Sequence, residues 1–145
     1  MEWGVACETG GGVQLLSQAV GPATQVELER LQLRAGEMVL RTTRLRRHGT
    51  RVSMYESCRL AIGRFPGLEA ADAGNYHIAE LARRHGIRLG SAQEHATVVE
   101  VLADVESHLR IAPQTQVLQL DRLVFTRDGP PIEWRIGLCP LLDRS

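Results

Sequence analysis

The side chains best placed to do chemistry are a glutamate and two arginines in neighbouring extended segments. Residues 52–60 alternate in the manner of a strand, and the even positions Val52, Met54, Glu56, Cys58 and Leu60 share a face. Glu56 is the one carboxylate in an apolar row, and there it needs a partner or takes up a proton. The preceding segment, Met38 to Arg47, carries Arg44 and Arg46 on one face. A three-residue loop, His48 to Thr50, puts the arginine row and the Glu56 row on the same face, whereas a loop of two or four residues separates them. The sequence leaves this register open. If the rows coincide, the cluster is either an anion-binding pocket whose carboxylate reads a hydroxyl or amine, or a structural salt bridge within a hairpin.

A second pair lies near the C-terminus. Glu133 and Arg135 share one face of a strand, and Ile132, Trp134, Ile136 and Leu138 form the opposite, core-like row. Glu133 is then either a surface residue or a wall of a cavity on the far side of the sheet. Arg122 interrupts the apolar row Leu118, Leu120, Val124, and a structural bridge to Glu133 or Glu94 is expected of it. The five histidines show no metal-ligand spacing, so no metal or cofactor is expected, and no nucleophile with its base can be assigned. No residue is therefore given a catalytic role. His95 lies on a polar row and should be exposed.

These residues must be held by a framework that the rest of the chain describes. At 145 residues it is expected to be one domain, large enough to bury roughly 70% of its unfolded surface. Lys plus Arg and Asp plus Glu both number 17, the positive charge being carried by arginine. Such a balance gives no general attraction to nucleic acid or anionic membrane. The arginine-rich stretch Arg41 to Arg51 is a weak nucleic-acid patch, because strand alternation splits its charges between faces. Cys7, Cys58 and Cys139 are odd in number and match no zinc or redox motif, so reduced thiols in a cytoplasmic protein are expected. No apolar run approaches a membrane span, and Met1 to Gly12 lacks the pattern of a signal peptide.

Glu8 to Gly12 reads as a flexible loop, Val13 to Leu16 as a strand, and Gly21-Pro22 as a break opening the main body. Gln25 to Leu33 alternates with one slip of phase, as a bulged strand would. Met38 to Arg47 and Val52 to Leu60 make a β-hairpin, ended by the rigid turn Phe65-Pro66-Gly67-Leu68. Asn75 is placed to cap a helix running to about Arg84, with Ile78, Leu81 and Ala82 as its buried stripe and His85-Gly86 as its stop. A long strand from Ser91 to Val101, a short helix from Ala103 to Arg110, and a second hairpin follow. That hairpin joins Val117–Thr126 to Ile132–Leu138 through Asp128-Gly129-Pro130-Pro131. Hairpins outnumber βαβ units, which predicts an α+β fold on a mainly antiparallel sheet.

Taken in order, Arg44-Leu45-Arg46, Gly49, Glu56, Phe65-Pro66-Gly67-Leu68, Arg84-His85-Gly86-Ile87, Ala92-Gln93-Glu94, Leu120-Asp121-Arg122 and Asp128-Gly129-Pro130-Pro131-Ile132-Glu133-Trp134-Arg135 form a fairly specific series. The series resembles the UTRA ligand-binding domain of GntR-type transcriptional regulators, HutC-like subfamily, over roughly residues 20 to 140. The resemblance implies a chorismate-lyase-like fold, a central antiparallel sheet with helices packed against it and a ligand cleft. It implies homodimerisation and binding of a small metabolite, a phosphorylated sugar or a carboxylate. It also implies that Arg44 and Arg46 hold the anionic group, that Glu56 and Glu133 read the polar body, and that Tyr76 is a further candidate contact. On this basis residues 1–20 are expected to be a linker tail and the start of the domain, and residues 21–145 the effector-binding domain.

The sequence departs from the family pattern in three places. Asn75-Tyr76-His77 stands where many members have Ser-Leu-Tyr, and the chain ends at Asp143-Arg144-Ser145 without the later aromatic. The winged-helix DNA-binding domain that precedes the family's sensor is absent, so an excised piece of a longer regulator is expected. DNA would be reached only through that domain, and no membrane partner is expected. A sensor is expected here and no enzyme; the alternatives are a chorismate-lyase-like enzyme acting on a small carboxylate and a dimerisation module with a vestigial pocket.

Overall fold

A computed structural model describes residues 12–68 and 74–141. Cys7, most of the Glu8–Gly12 loop, residues 70–73 and the Asp143-Arg144-Ser145 end lie outside the described residues. Six strands form one antiparallel sheet in the order β1-β2-β3-β6-β5-β4. They are β1 (Val13–Pro22), β2 (Met38–His48), β3 (Arg51–Ala61), β4 (Leu89–Glu100), β5 (Gln116–Thr126) and β6 (Pro131–Pro140). Three short helices, α1 (Gln25–Leu31), α2 (Ile78–Arg84) and α3 (Ala103–Leu109), join them. The expected α+β architecture and both expected hairpins are present. Gly21 and Pro22 close strand β1 rather than open the main body.

Gln25 to Leu33 is not the bulged strand that its alternation predicts. It is helix α1, started by a capping box in which the Thr24 hydroxyl accepts from Glu27 N–H and the Glu27 carboxylate accepts from Thr24 N–H. Gln32 ends it in the left-handed region. Leu31 packs with Val39, Leu123 and Trp134 on one face of the sheet. Charge pins the helix there as well. Arg30 bonds Asp121 at 2.5 Å, Asp121 accepts from Trp134 Nε1 at 2.9 Å, and Arg30 and Arg59 lie over the indole. Helix α3 covers the other end of that face, with Val105 and Leu109 against Leu45, Val52 and Val117.

The opposite face carries the row Arg44, Glu56, Cys58, Glu133 and Arg135, and helix α2 lies over part of it. Leu81 joins Leu40, Cys58, Leu60, Phe65, Tyr76 and Val124 in a core cluster. Burying a leucine side chain this way contributes about 1.5–3 kcal/mol. Asn75 does not cap α2; the helix begins two residues later, with His77 at the cap position and no side-chain cap bond. The expected stop is observed, with His85 as C-cap and Gly86 at a φ of 69°.

Candidate functional site

The register that brings the arginines to the glutamate rests on one residue. His48 pairs with Arg51 around the turn Gly49-Thr50, so the loop has two residues, the length that should separate the two rows. The pairing then slips: Arg47 faces Val52, but Arg46 faces Met54 and Arg44 faces Glu56. Ser53 is the extra residue of a β-bulge, and its hydroxyl bonds the Arg46 carbonyl at 3.2 Å. The bulge restores the shared face. It also moves Val52 off that row, into the cluster with Leu45 under α3.

Glu56 is 0% exposed and accepts from three arginines. Arg44 Nε and Nη2 reach Oε1 at 3.1 and 3.0 Å, Arg46 Nε reaches Oε2 at 2.7 Å, and Arg135 Nη1 reaches Oε2 at 3.1 Å. Burial pushes this carboxyl up, but Arg135, Arg44 and Arg46 together outweigh it and hold the group below the usual carboxylate range. Arg135 also approaches Glu133 Oε1, at 3.3 Å. Burial works against its charge, and Glu133 and Glu56 reverse that effect and hold it firmly protonated.

Tyr76 completes the cluster from the segment before α2. Its hydroxyl donates to Glu133 Oε2, its carbonyl accepts from Arg44 Nη1 at 2.6 Å, and its ring lies under the Arg44 guanidinium at 4.6 Å. Burial, then the Glu133 charge, pushes its phenol well above the ordinary value. Cys58 sits in the same cluster, its thiol pushed up to about 11 by burial. It is an inert packing thiol.

All five sequence candidates, Arg44, Arg46, Glu56, Glu133 and Tyr76, thus meet in one buried network. They do not share one role in it. A cavity of about 410 Å³ opens beside the network, and of the five only Arg46 lines it. Its other charged walls are Arg122 and Arg135, with His77 at the start of α2 and Ser91 on β4. Arg44 is consumed by Glu56 and Tyr76. Glu56 instead lines, with Glu94, a neighbouring hollow of about 10 Å³, room for a single water.

Arg122, Arg135 and His77 line the cavity, although alternation in the sequence does not point to them as cavity residues. Arg122 faces Glu94 on one side and Arg135 on the other, and Glu133 takes Arg135 and Tyr76 as its partners. The signal for Arg135 was present: it lies two residues beyond Glu133 on the same row. Ile136 and Leu138, expected as core, are half-buried, whereas Glu133 and Arg135 are buried. Both faces of β6 are covered, so alternation could not say which was core. His95 is exposed, as expected. Among the described residues no three His, Cys, Asp or Glu side chains group as a metal site, and no helix is long and apolar enough to cross a membrane.

Residues 10–142 match the UTRA domain family. The chain belongs to that family. Its fold is that of GntR-family effector domains. A GntR-family regulator from Enterococcus faecalis V583 superposes with a TM-score of 0.81 at 17% identity, over 92% of this chain and 100% of that one. The effector domain of PhnF from Mycobacterium smegmatis gives 0.81 at 22% identity, over 89% and 80%. A ligand-binding domain assigned to a GntR-family regulator from Bordetella bronchiseptica gives 0.79 at 25% identity, over 90% and 84%. No curated protein matches the sequence. This UTRA domain is therefore an α+β, chorismate-lyase-like effector-binding domain of the kind carried by GntR-family transcriptional regulators.

Proposed function

We propose that this UTRA domain senses a small anionic metabolite, a phosphorylated sugar or a carboxylate, as the effector and dimerisation module of a HutC-like regulator. The observation that carries this reading is the 410 Å³ cavity walled by Arg46, Arg122 and Arg135. Guanidinium groups already fixed by carboxylates are preorganised, so an anion meets donors that need no ordering on binding. Arg44, Glu56, Glu133 and Tyr76 act behind the wall, as the frame that fixes Arg46 and Arg135. Among the described residues the cavity lining holds no paired acid and base, and a sensor needs neither, so binding without turnover fits it best.

Strand β4 supports the dimer. It is a twelve-residue edge strand, exposed on both faces through most of its length, which is the kind of edge that a second strand pairs with. Leu89 to Ala92 of the same strand wall the cavity, so an effector touching β4 touches the element that would carry the dimer contact. Effector binding would then shift the dimer between two arrangements and move attached DNA-binding domains. In the crystal structure of PhnF this domain corresponds to 63% of that chain, which leaves length there for another domain. A cytoplasmic location follows from that role.

Thermal unfolding with a panel of small anions tests the sensing site. A true effector at 100 times its Kd stabilises by about 2.7 kcal/mol, which for a domain this size raises Tm by roughly 6–10 °C. Arg46→Ala and Arg122→Ala should each remove most of that rise. A rise untouched by both would place the ligand elsewhere.

A further inference from the structure

The cavity lining separates the two effector classes named above. We propose that the effector is a monocarboxylate with a hydrocarbon or aromatic body, and not a phosphorylated sugar; the inference rests on the sensing site just described.

Among the described residues, side-chain acceptors are scarce in this cavity. Arg46, Arg122 and Arg135 offer N–H donors and no acceptor. Of the side chains in the lining, only His77 and the Ser91 hydroxyl can take a hydrogen bond from a ligand. The two carboxylates that would grip sugar hydroxyls are turned to other work. Glu56 is held by three arginines, and Glu133 by Tyr76 and Arg135; neither lines the cavity. Each sugar hydroxyl left without an acceptor in a desolvated site weakens binding.

The remaining wall is apolar, made by Ile78, Ala79, Leu89, Ala92 and Val124. A hydrocarbon body gains from this surface, and a polyol loses its water against it. Charge points the same way. Around the cavity Arg44, Arg46, Arg122 and Arg135 face Glu56, Glu133 and, across the β4–β5 pair from Arg122, Glu94, so one positive charge is left for the ligand when the three acids are ionised. One carboxylate matches that charge and the planar fork of a guanidinium. A phosphate monoester carries about −1.5 to −2 at neutral pH.

Calorimetric titration of the chain with benzoate, octanoate and glucose 6-phosphate tests the proposal, with melting curves confirming that each variant is folded. Benzoate or octanoate is expected to bind at least tenfold more tightly than glucose 6-phosphate. Arg122→Gln should weaken that binding tenfold or more, and Ile78→Ser should weaken octanoate several-fold. Tighter binding of glucose 6-phosphate, lost in Arg122→Gln, would overturn the monocarboxylate assignment and leave the sensing site standing. No binding by any of the three, or binding unchanged in both Arg122→Gln and Arg46→Ala, would overturn both.

Discussion

Glu56 is the residue on which the buried network turns. Replacing it leaves three guanidinium groups packed together without their shared counter-ion, and loss of one partner from a buried pair costs about 3–5 kcal/mol. Because the Arg135, Arg44 and Arg46 charges hold its folded-state pKa below the unfolded value of about 4.3, its stabilising effect is complete above that value. The effect fades as pH falls through the folded pKa. Glu56→Gln should therefore be less stable at pH 7 and should also flatten the acid limb of the stability profile, read by urea unfolding at a series of pH values. Some slope will survive, since burial pushes the Glu27 carboxyl up but bonds from Arg41 and Thr24 outweigh it and lower it too. Tyr76 acts through one hydrogen bond and a ring face. Tyr76→Phe keeps the ring under Arg44 and strips a donor from Glu133, so a loss of about 1–3 kcal/mol is expected in the same assay.

At the scale of elements, the β2–β3 hairpin shows how turn length and a bulge together set the chemistry. Deleting Ser53 removes the bulge together with its extra residue, so regular pairing from the two-residue turn still sets Arg46 opposite Met54 and Arg44 opposite Glu56. That deletion should therefore retain anion binding, and loss of binding in a variant that still melts as a folded domain would show that the bulge itself, and not only the shared face, is needed. The hairpins, β4, α3 and the Arg44–Arg46–Glu56 row were legible because alternation and turn residues agree there. Bulge and loop length compensate each other at Ser53, so the coincidence of rows could be framed from sequence but not decided. Helix α1 is hidden in the sequence because Val26, Leu28, Leu31 and Leu33 fit alternation with one slip, and only the spacing of Thr24 and Glu27, a capping box, marks it as a helix. An arginine in an apolar row points to a bridge, and Glu94 stands across from Arg122 on β4, but its place in a cavity wall is a separate matter. That β5 faces a cavity there depends on where α2 lies, which no local pattern encodes.

At the scale of the whole molecule, the sheet has one face closed by α1 and α3 and the other closed only in part by α2. The cavity lies on the partly closed side, bordered by β4. If a second copy pairs along β4, Val98→Lys places a charge on that edge strand and should weaken self-association, read as a shift toward monomer in sedimentation velocity. An unchanged sedimentation profile would move the dimer contact to another surface. Since β4 borders the cavity too, effector binding and dimer affinity should be linked, each altering the other by the same factor.

The two faces also supply their own control for anion binding at Arg46, Arg122 and Arg135. Arg30 and Arg59 flank Trp134 on the opposite side of the sheet, so they should not respond to a ligand in this cavity. Arginine Nε–Hε resonances followed by NMR during a benzoate titration would read both groups at once. Saturable shifts at Arg46, Arg122 and Arg135, with Arg30 and Arg59 still, are the predicted result. Shifts confined to Arg30 and Arg59, or none at any arginine up to millimolar benzoate, would contradict it.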